Sequence, residues 1–208
     1  MDATSPKVDF KKQIPTYAAK QGKFDVVEVP AMQFLMIDGH GDPNTATEYQ
    51  DALTTLYPLA YALKFLSKKE FVRDYVVPPL EGLWWAEDMS TFTEARDKSQ
   101  WAWTMMIMTP DWITSDHLRT ARAAVERKGG EPALDKLRLE TLDEGLAVQT
   151  LHIGPYDAEG PVLETLHNDF IPAQGFRMTG RHHEIYLGDP RRTAPEKLKT
   201  ILRQPVVS

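Results

Sequence analysis

The strongest constraint on this chain is a pattern that occurs twice. In the first copy, Val26-Val27-Glu28-Val29 is β-rich, Pro30-Ala31 breaks it, and Phe34-Leu35-Met36-Ile37 resumes it. Two β-rich runs around a breaker predict a hairpin. Gly39-His40-Gly41-Asp42-Pro43 ends it. A helix is expected next, because Thr45-Ala46-Thr47-Glu48 reads as a capping box and Tyr49, Leu53, Leu56, Ala60 and Leu63 recur at helical spacing. Pro58 interrupts that stripe, and an interior proline costs about 3 kcal/mol, so a kink or break is expected there. Strands over residues 75–85 and 101–108 close the unit, with the charged stretch between them as a loop.

The second copy repeats the order. Leu137-Arg138-Leu139-Glu140 turns at Asp143-Glu144-Gly145 into a strand over 147–153, which Gly154-Pro155-Tyr156-Asp157 ends. A helix follows, with Pro161 in its first turn and Val162, Leu163, Leu166 and Phe170 on one face. Strands over 182–187 and 198–206 close it. A separate amphipathic helix over 115–128 joins the copies. Asp116 is near its start, Arg127 and Lys128 are near its end, and Gly129-Gly130 stops it.

The chain therefore reads as ββαββ, a joining helix, and ββαββ again. This is an α+β fold of duplicated units related by a pseudo-twofold axis, with one antiparallel sheet and helices on one face. The opposite face, where the units meet, is the expected ligand cleft. Residues 1–24 are polar and lysine-bearing and read as an N-terminal arm, from which Tyr17 could dock. Residues 25–208 form the domain, divided into a first unit at 25–110, a linker helix at 111–130 and a second unit at 131–208.

A net charge of −6 disfavours a nucleic-acid face, which needs clustered Lys and Arg. The chain has no cysteine, which removes disulfides, thiolate nucleophiles and Cys-ligated zinc. It suits a cytoplasmic protein. No run approaches the length of a membrane span, and Met1-Asp2-Ala3-Thr4 does not open a signal peptide. The motifs of serine hydrolases, phosphate-loop NTPases, dinucleotide enzymes and zinc proteases are all missing. No cofactor is called for. His182-His183 lacks a third ligand at a recognisable spacing, so no metal site is expected.

Two stretches carry the chemistry. Leu80-Glu81-Gly82-Leu83-Trp84-Trp85 is answered by Trp101-Ala102-Trp103, and His182-His183-Glu184-Ile185-Tyr186 places a carboxylate among aromatic residues. Strand side chains alternate faces. Ile185 and Leu187 suit the helix-covered core, which puts His182, Glu184 and Tyr186 on the other face. Likewise Leu151 and Ile153 go to the core, and Thr150 and His152 face away. Only one of Trp84 and Trp85 can line the cleft. Glu81 shares parity with Trp85. Each feature also has a plainer reading: core packing for the tryptophans, a surface ion pair for Glu184, a strand-ending turn for Gly154-Pro155-Tyr156.

The duplicated units, the strand ending in Gly154-Pro155-Tyr156, and Glu184-Ile185-Tyr186-Leu187 followed by Asp189-Pro190 resemble the GyrI-like small-molecule-binding family over residues 25–208. The resemblance implies that Glu184 is the buried carboxylate that meets cationic aromatic ligands. The regulator members carry a DNA-binding module, which 24 residues cannot hold. They often carry a last-strand glutamate before a proline, where this chain has Arg203-Gln204-Pro205. The segment from Tyr75 to Trp85 is similar to stand-alone members that include cyclopropanoid cyclopropyl hydrolases. That likeness implies opening of the strained ring of yatakemycin-type DNA alkylators in an aromatic cage. Glu184, Tyr186 and Tyr156 would be the catalytic groups. Trp84, Trp85, Trp101, Trp103, Glu81, His152 and His182 would contact the substrate. The expected partner is a planar aromatic or cationic small molecule, bound catalytically or merely sequestered. Inhibition of DNA gyrase, which the family name suggests, is disfavoured by mild and scattered charge.

Overall fold

The computed structural model describes residues 6–86 and 98–208. Most of the expected charged loop, residues 87–97, lies outside them. A short helix α1 (Phe10–Gln13) and a 3-10 turn (Pro15–Tyr17) precede β1 (Asp25–Val29) and β2 (Met32–His40). Helix α2 (Thr47–Glu70) leads to β3 (Leu80–Trp85) and β4 (Ala102–Thr109). Helix α3 (Ser115–Glu126) joins the units. The second unit runs β5 (Arg138–Leu142), β6 (Gly145–Ile153), helix α4, β7 (Arg177–Met178), β8 (His182–Tyr186) and β9 (Lys199–Val207). Helix α4 starts as Gly160–Glu164, passes through a π-helical stretch at Thr165–Phe170 and ends at Ile171–Ala173.

The strands form one antiparallel sheet in the order β1-β6-β9-β8-β3-β4-β2-β5, with β7 added against β9. Exchanging the two units maps this order onto itself. The two expected hairpins do not form. β1 pairs with β6, and β5 pairs with β2, so each unit lends its first strand to the other. The short links then constrain the shape of the sheet. β1 and β2 stand six places apart in the sheet, about 29 Å if it were flat. The Pro30-Ala31 link reaches only about 11 Å. The sheet must therefore curl until its two ends meet.

Three other local expectations change. Helix α2 continues unbroken through Pro58. The capping box at its start is not made: Ala46 is the N-cap, and Glu48 instead accepts from the His40 backbone N–H and pairs with Lys136 at 2.8 Å. The strand expected over 75–85 begins only at Leu80, after Pro78-Pro79, and Tyr75 makes a single bridge to Val8.

The two sheet faces hold different cores. On one, α2 and α3 pack against Leu35, Ile37, Trp103, Met105 and Ile107 of the first unit. On the same face, Leu166 and Ile171 of α4 pack against Val148 and Val206 of the second unit. The other face carries Phe34, Met36, Leu83, Met106, Ile185 and Ile201. The arm covers it, with Phe10, Ile14 and Tyr17 docked there. Among the described residues, no helix is long and apolar enough to cross a membrane.

Candidate functional site

The central strands β3 and β8 lie on the pseudo-twofold axis, between α2 on one side and α4 on the other. Register places Glu184 directly opposite Gly82, and Tyr186 opposite Leu80. Their side chains therefore share the helix-bearing face. The grouping of His182, Glu184 and Tyr186, with Ile185 opposed, is as read from parity. The expected side is not. Ile185 points to the face that the arm fills, and Glu184 points into the seam between the helices. Parity alone cannot name a face, and the docked arm decides it here.

Glu184 is held by a short chain of hydrogen bonds. The Tyr186 hydroxyl donates to Glu184 Oε2 at 2.7 Å, and Trp84 Nε1 donates to that hydroxyl oxygen at 3.0 Å. Burial and the Glu184 charge push the Tyr186 phenol well above its ordinary range, so it stays a donor. Rings close around this chain. Trp84 meets Trp101 edge-on at 5.8 Å and Tyr49 of α2 at 6.2 Å. Tyr49 also meets the fully buried Trp103 at 5.3 Å. Trp103 fits because β2 carries Gly39 beneath it, where a Cβ would come within 2.0 Å of the ring. Tyr156 meets Tyr186 edge-on at 5.5 Å. Burial, with the charges of Glu159 and Glu184, pushes Tyr156 up to about 12.

His152 and Gly154 place Tyr156. His152 Nε2 lies 3.1 Å from the Pro155 carbonyl and ties the end of β6 to the turn. Gly154 takes φ +144°, and a Cβ there would crowd His152 at 3.2 Å. Glycine therefore suits this corner on both counts. His182 lies at the edge of the seam, 3.6 Å from Glu184 Oε1 and edge-on to His167. Burial, then His182, lowers His167 to about 3.

Trp85 and Glu81 are not part of this group. Trp85 faces the other core, with the Arg181 guanidinium 3.5 Å from its ring centroid. Glu81 is fully buried there. It accepts from the Tyr17 hydroxyl and lies 2.9 Å from His183 Nε2. His183 Nδ1 in turn meets Glu144, which also accepts from Arg203 at 2.9 Å. Among the described residues, no three of His, Asp and Glu converge as a metal site.

Sequence reasoning missed one acid. Glu159 ends the turn after Tyr156 and is 5% exposed. Burial and the facing Glu184 carboxylate push it up to about 10. Thr200 lies near enough to oppose this, though outside hydrogen-bond geometry. Tyr49 was also missed as a site residue. It falls in the helical stripe of α2, where an aromatic residue reads as core.

The sequence profile of the GyrI-like small molecule binding domain matches residues 22–207. An uncharacterized conserved protein from Listeria innocua is 40% identical, with a TM-score of 0.87, covering 97% of this chain and 100% of its own. A structure described as a hydrolase from Listeria innocua is 38% identical, with a TM-score of 0.83 and the same coverage. The EcmrR C-terminal domain shares the fold at 11% identity and a TM-score of 0.53, over 89% of this chain and 98% of that one. No protein of curated function matches.

Proposed function

The chain belongs to the GyrI-like small molecule binding domain family, and from that premise we propose that it is a hydrolase acting on cyclopropanoid DNA alkylators of the yatakemycin type. The observation that carries this reading is a tyrosine-held carboxylate among edge-packed rings, at the level of two central strands. The likeness to a Listeria innocua hydrolase supports it.

In such a substrate the cyclopropane is conjugated to a dienone. Trp84, Trp101 and Tyr49 hold the planar system, with the buried Trp103 backing Tyr49 and each aromatic pair worth about 0.5–1.5 kcal/mol beyond area burial. Glu184 orients a water and takes its proton as the oxygen attacks the ring carbon. Tyr186 is committed to Glu184 and fixes its orientation. Tyr156 donates a hydrogen bond to the dienone oxygen as that atom gains charge. The strain of the ring supplies driving force, so positioning and desolvation do much of the remaining work. The role is detoxification in the cytoplasm, before the alkylator meets DNA.

The test is mass-resolved turnover. The purified protein is incubated with limiting and then excess cyclopropane-bearing alkylator. Gain of one water per molecule, over many cycles, is expected. Glu184→Gln should slow it at least about tenfold and keep affinity within a few fold. A second reading, capture of a cationic drug without chemistry, is favoured by the same carboxylate-in-rings arrangement. It predicts unchanged ligand mass with saturable tryptophan quenching.

A further inference from the structure

Buried polar atoms without a hydrogen-bond partner gather on one side of the seam. Among the described residues they include Glu159 Oε1, the Thr150 and Thr200 hydroxyls, His167 Nε2 and both His182 ring nitrogens. Sheet register puts Thr150 and Thr200 on the face of Glu184, across β9 and β6. Buried polar groups are nearly always partnered. A cluster of exceptions beside an aromatic wall marks where a reacting molecule is handled. Within it, Glu159 is the carboxylic acid, kept protonated by burial and the facing Glu184. The mechanism above leaves it unused.

We propose that Glu159 is the acid of this site, delivering its carboxylic proton to the dienone oxygen while Glu184 takes the proton of the attacking water. The proposal deepens the hydrolase reading and rests on it. The balance is complete. The water oxygen forms a bond to the ring methylene carbon. The strained C–C bond breaks, and its electron pair runs through the dienone to the carbonyl oxygen. Glu184 accepts a proton and Glu159 supplies one, so the product is the substrate plus one water. The two carboxyls lie within electrostatic reach of each other, and passage of the proton from Glu184 back to Glu159 resets the site.

The surroundings fit this division. The groups facing Glu159 are Glu184 and Tyr186 from β8, Thr200 from β9, Lys98 from the turn before β4, and Tyr156 and Asp157 from its own segment. Lys98 is already paired with Asp157 at 2.7 Å. A lone carboxylate facing Glu184 in a buried seam is unfavourable, so Glu159 holds its proton at neutral pH. Burial raises Tyr156 as well as Glu159, and a carboxylic acid is intrinsically a stronger acid than a phenol, so Glu159 is the better donor.

The experiment compares wild type, Glu159→Gln and Glu184→Gln on a cyclopropane-bearing dienone, with kcat and KM measured from acid to alkaline pH. Glu159→Gln should lower kcat by about 100-fold, leave KM within a few fold and abolish the alkaline fall in rate. Glu184→Gln should also lower kcat but keep the alkaline fall. If Glu159→Gln keeps the wild-type kcat and alkaline limb, Glu159 is not the acid and the hydrolase stands. If the wild type does not turn over, the hydrolase reading itself fails. A carbon-13 titration of the glutamate carboxyls in the wild type checks the same point without a variant. One carboxyl should remain protonated at neutral pH, and full ionisation of all of them would overturn the proposal.

Discussion

At the scale of single residues, two glycines shape the site. Gly39 lies beneath Trp103, where any Cβ would fall inside the ring's van der Waals envelope at 2.0 Å. Trp103 is fully buried and cannot swing out to solvent. Gly39→Ala should therefore destabilise at the upper end of overpacking, about 3 kcal/mol, read as a lower urea midpoint. An unchanged midpoint would mean that the indole can re-seat. Gly82 is subtler. Its Cβ would meet Trp84 Nε1 at 2.8 Å and Met105 Sδ at 3.2 Å. Gly82→Ala should leave the fold standing but break the Trp84–Tyr186 hydrogen bond and loosen Glu184. The expected outcome is weaker ligand quenching of tryptophan fluorescence, by about 1 kcal/mol of binding. Neither role was legible in the sequence, since a glycine in a strand signals only some close approach. Glu159 was hidden for a related reason. It is one of 30 acidic residues, it sits in a turn, and only the fold brings Glu184 before it.

At the scale of elements, periodicity located the strands and helices and paired Glu184 with Tyr186, because alternation is a local property. It did not choose their partners. Val26–Val29 and Phe34–Ile37 look like a hairpin, yet their neighbours are β6 and β4. Partner choice depends on sheet curvature, which no single stretch encodes. The arm shows the same limit. Its lysines read as solvated, while Phe10, Ile14 and Tyr17 between them complete a core. Tyr17 matters most, since its hydroxyl donates to the fully buried Glu81. Tyr17→Phe keeps the ring and removes that donor. Leaving a buried carboxylate under-satisfied should cost about 1–3 kcal/mol in chemical denaturation. A loss below about 0.5 kcal/mol would show that His183 alone satisfies Glu81.

At the scale of the whole molecule, one buried charge network spans both units. Glu81 on β3 belongs to the first unit. His183 on β8, Glu144 in the β5–β6 turn and Arg203 on β9 belong to the second. Arg203 also donates to Gln149 and to the Thr16 carbonyl of the arm. Two carboxylates and two cations balance, provided that His183 is protonated. Burial alone would lower His183, but Glu144 and Glu81 outweigh it and raise it to about 8. Burial alone would raise Glu144, but His183 and Arg203 hold it at about 2. The signs then follow. A histidine raised on folding contributes stability in full below its unfolded value of about 6.5. That contribution is lost as pH climbs through about 8. A carboxyl lowered on folding contributes above its unfolded value of about 4.3 and loses that only as pH falls through about 2. Stability from this network is therefore greatest between about pH 4.3 and 6.5. The rise of His183 from 6.5 to about 8 corresponds to about 2 kcal/mol. Urea unfolding of the wild type at pH 6 and pH 9 should differ by about that amount, with the alkaline sample weaker. Equal stability at the two values would mean that His183 is neutral, with Arg203 the cation of the network and the two units joined by the His183–Glu81 hydrogen bond.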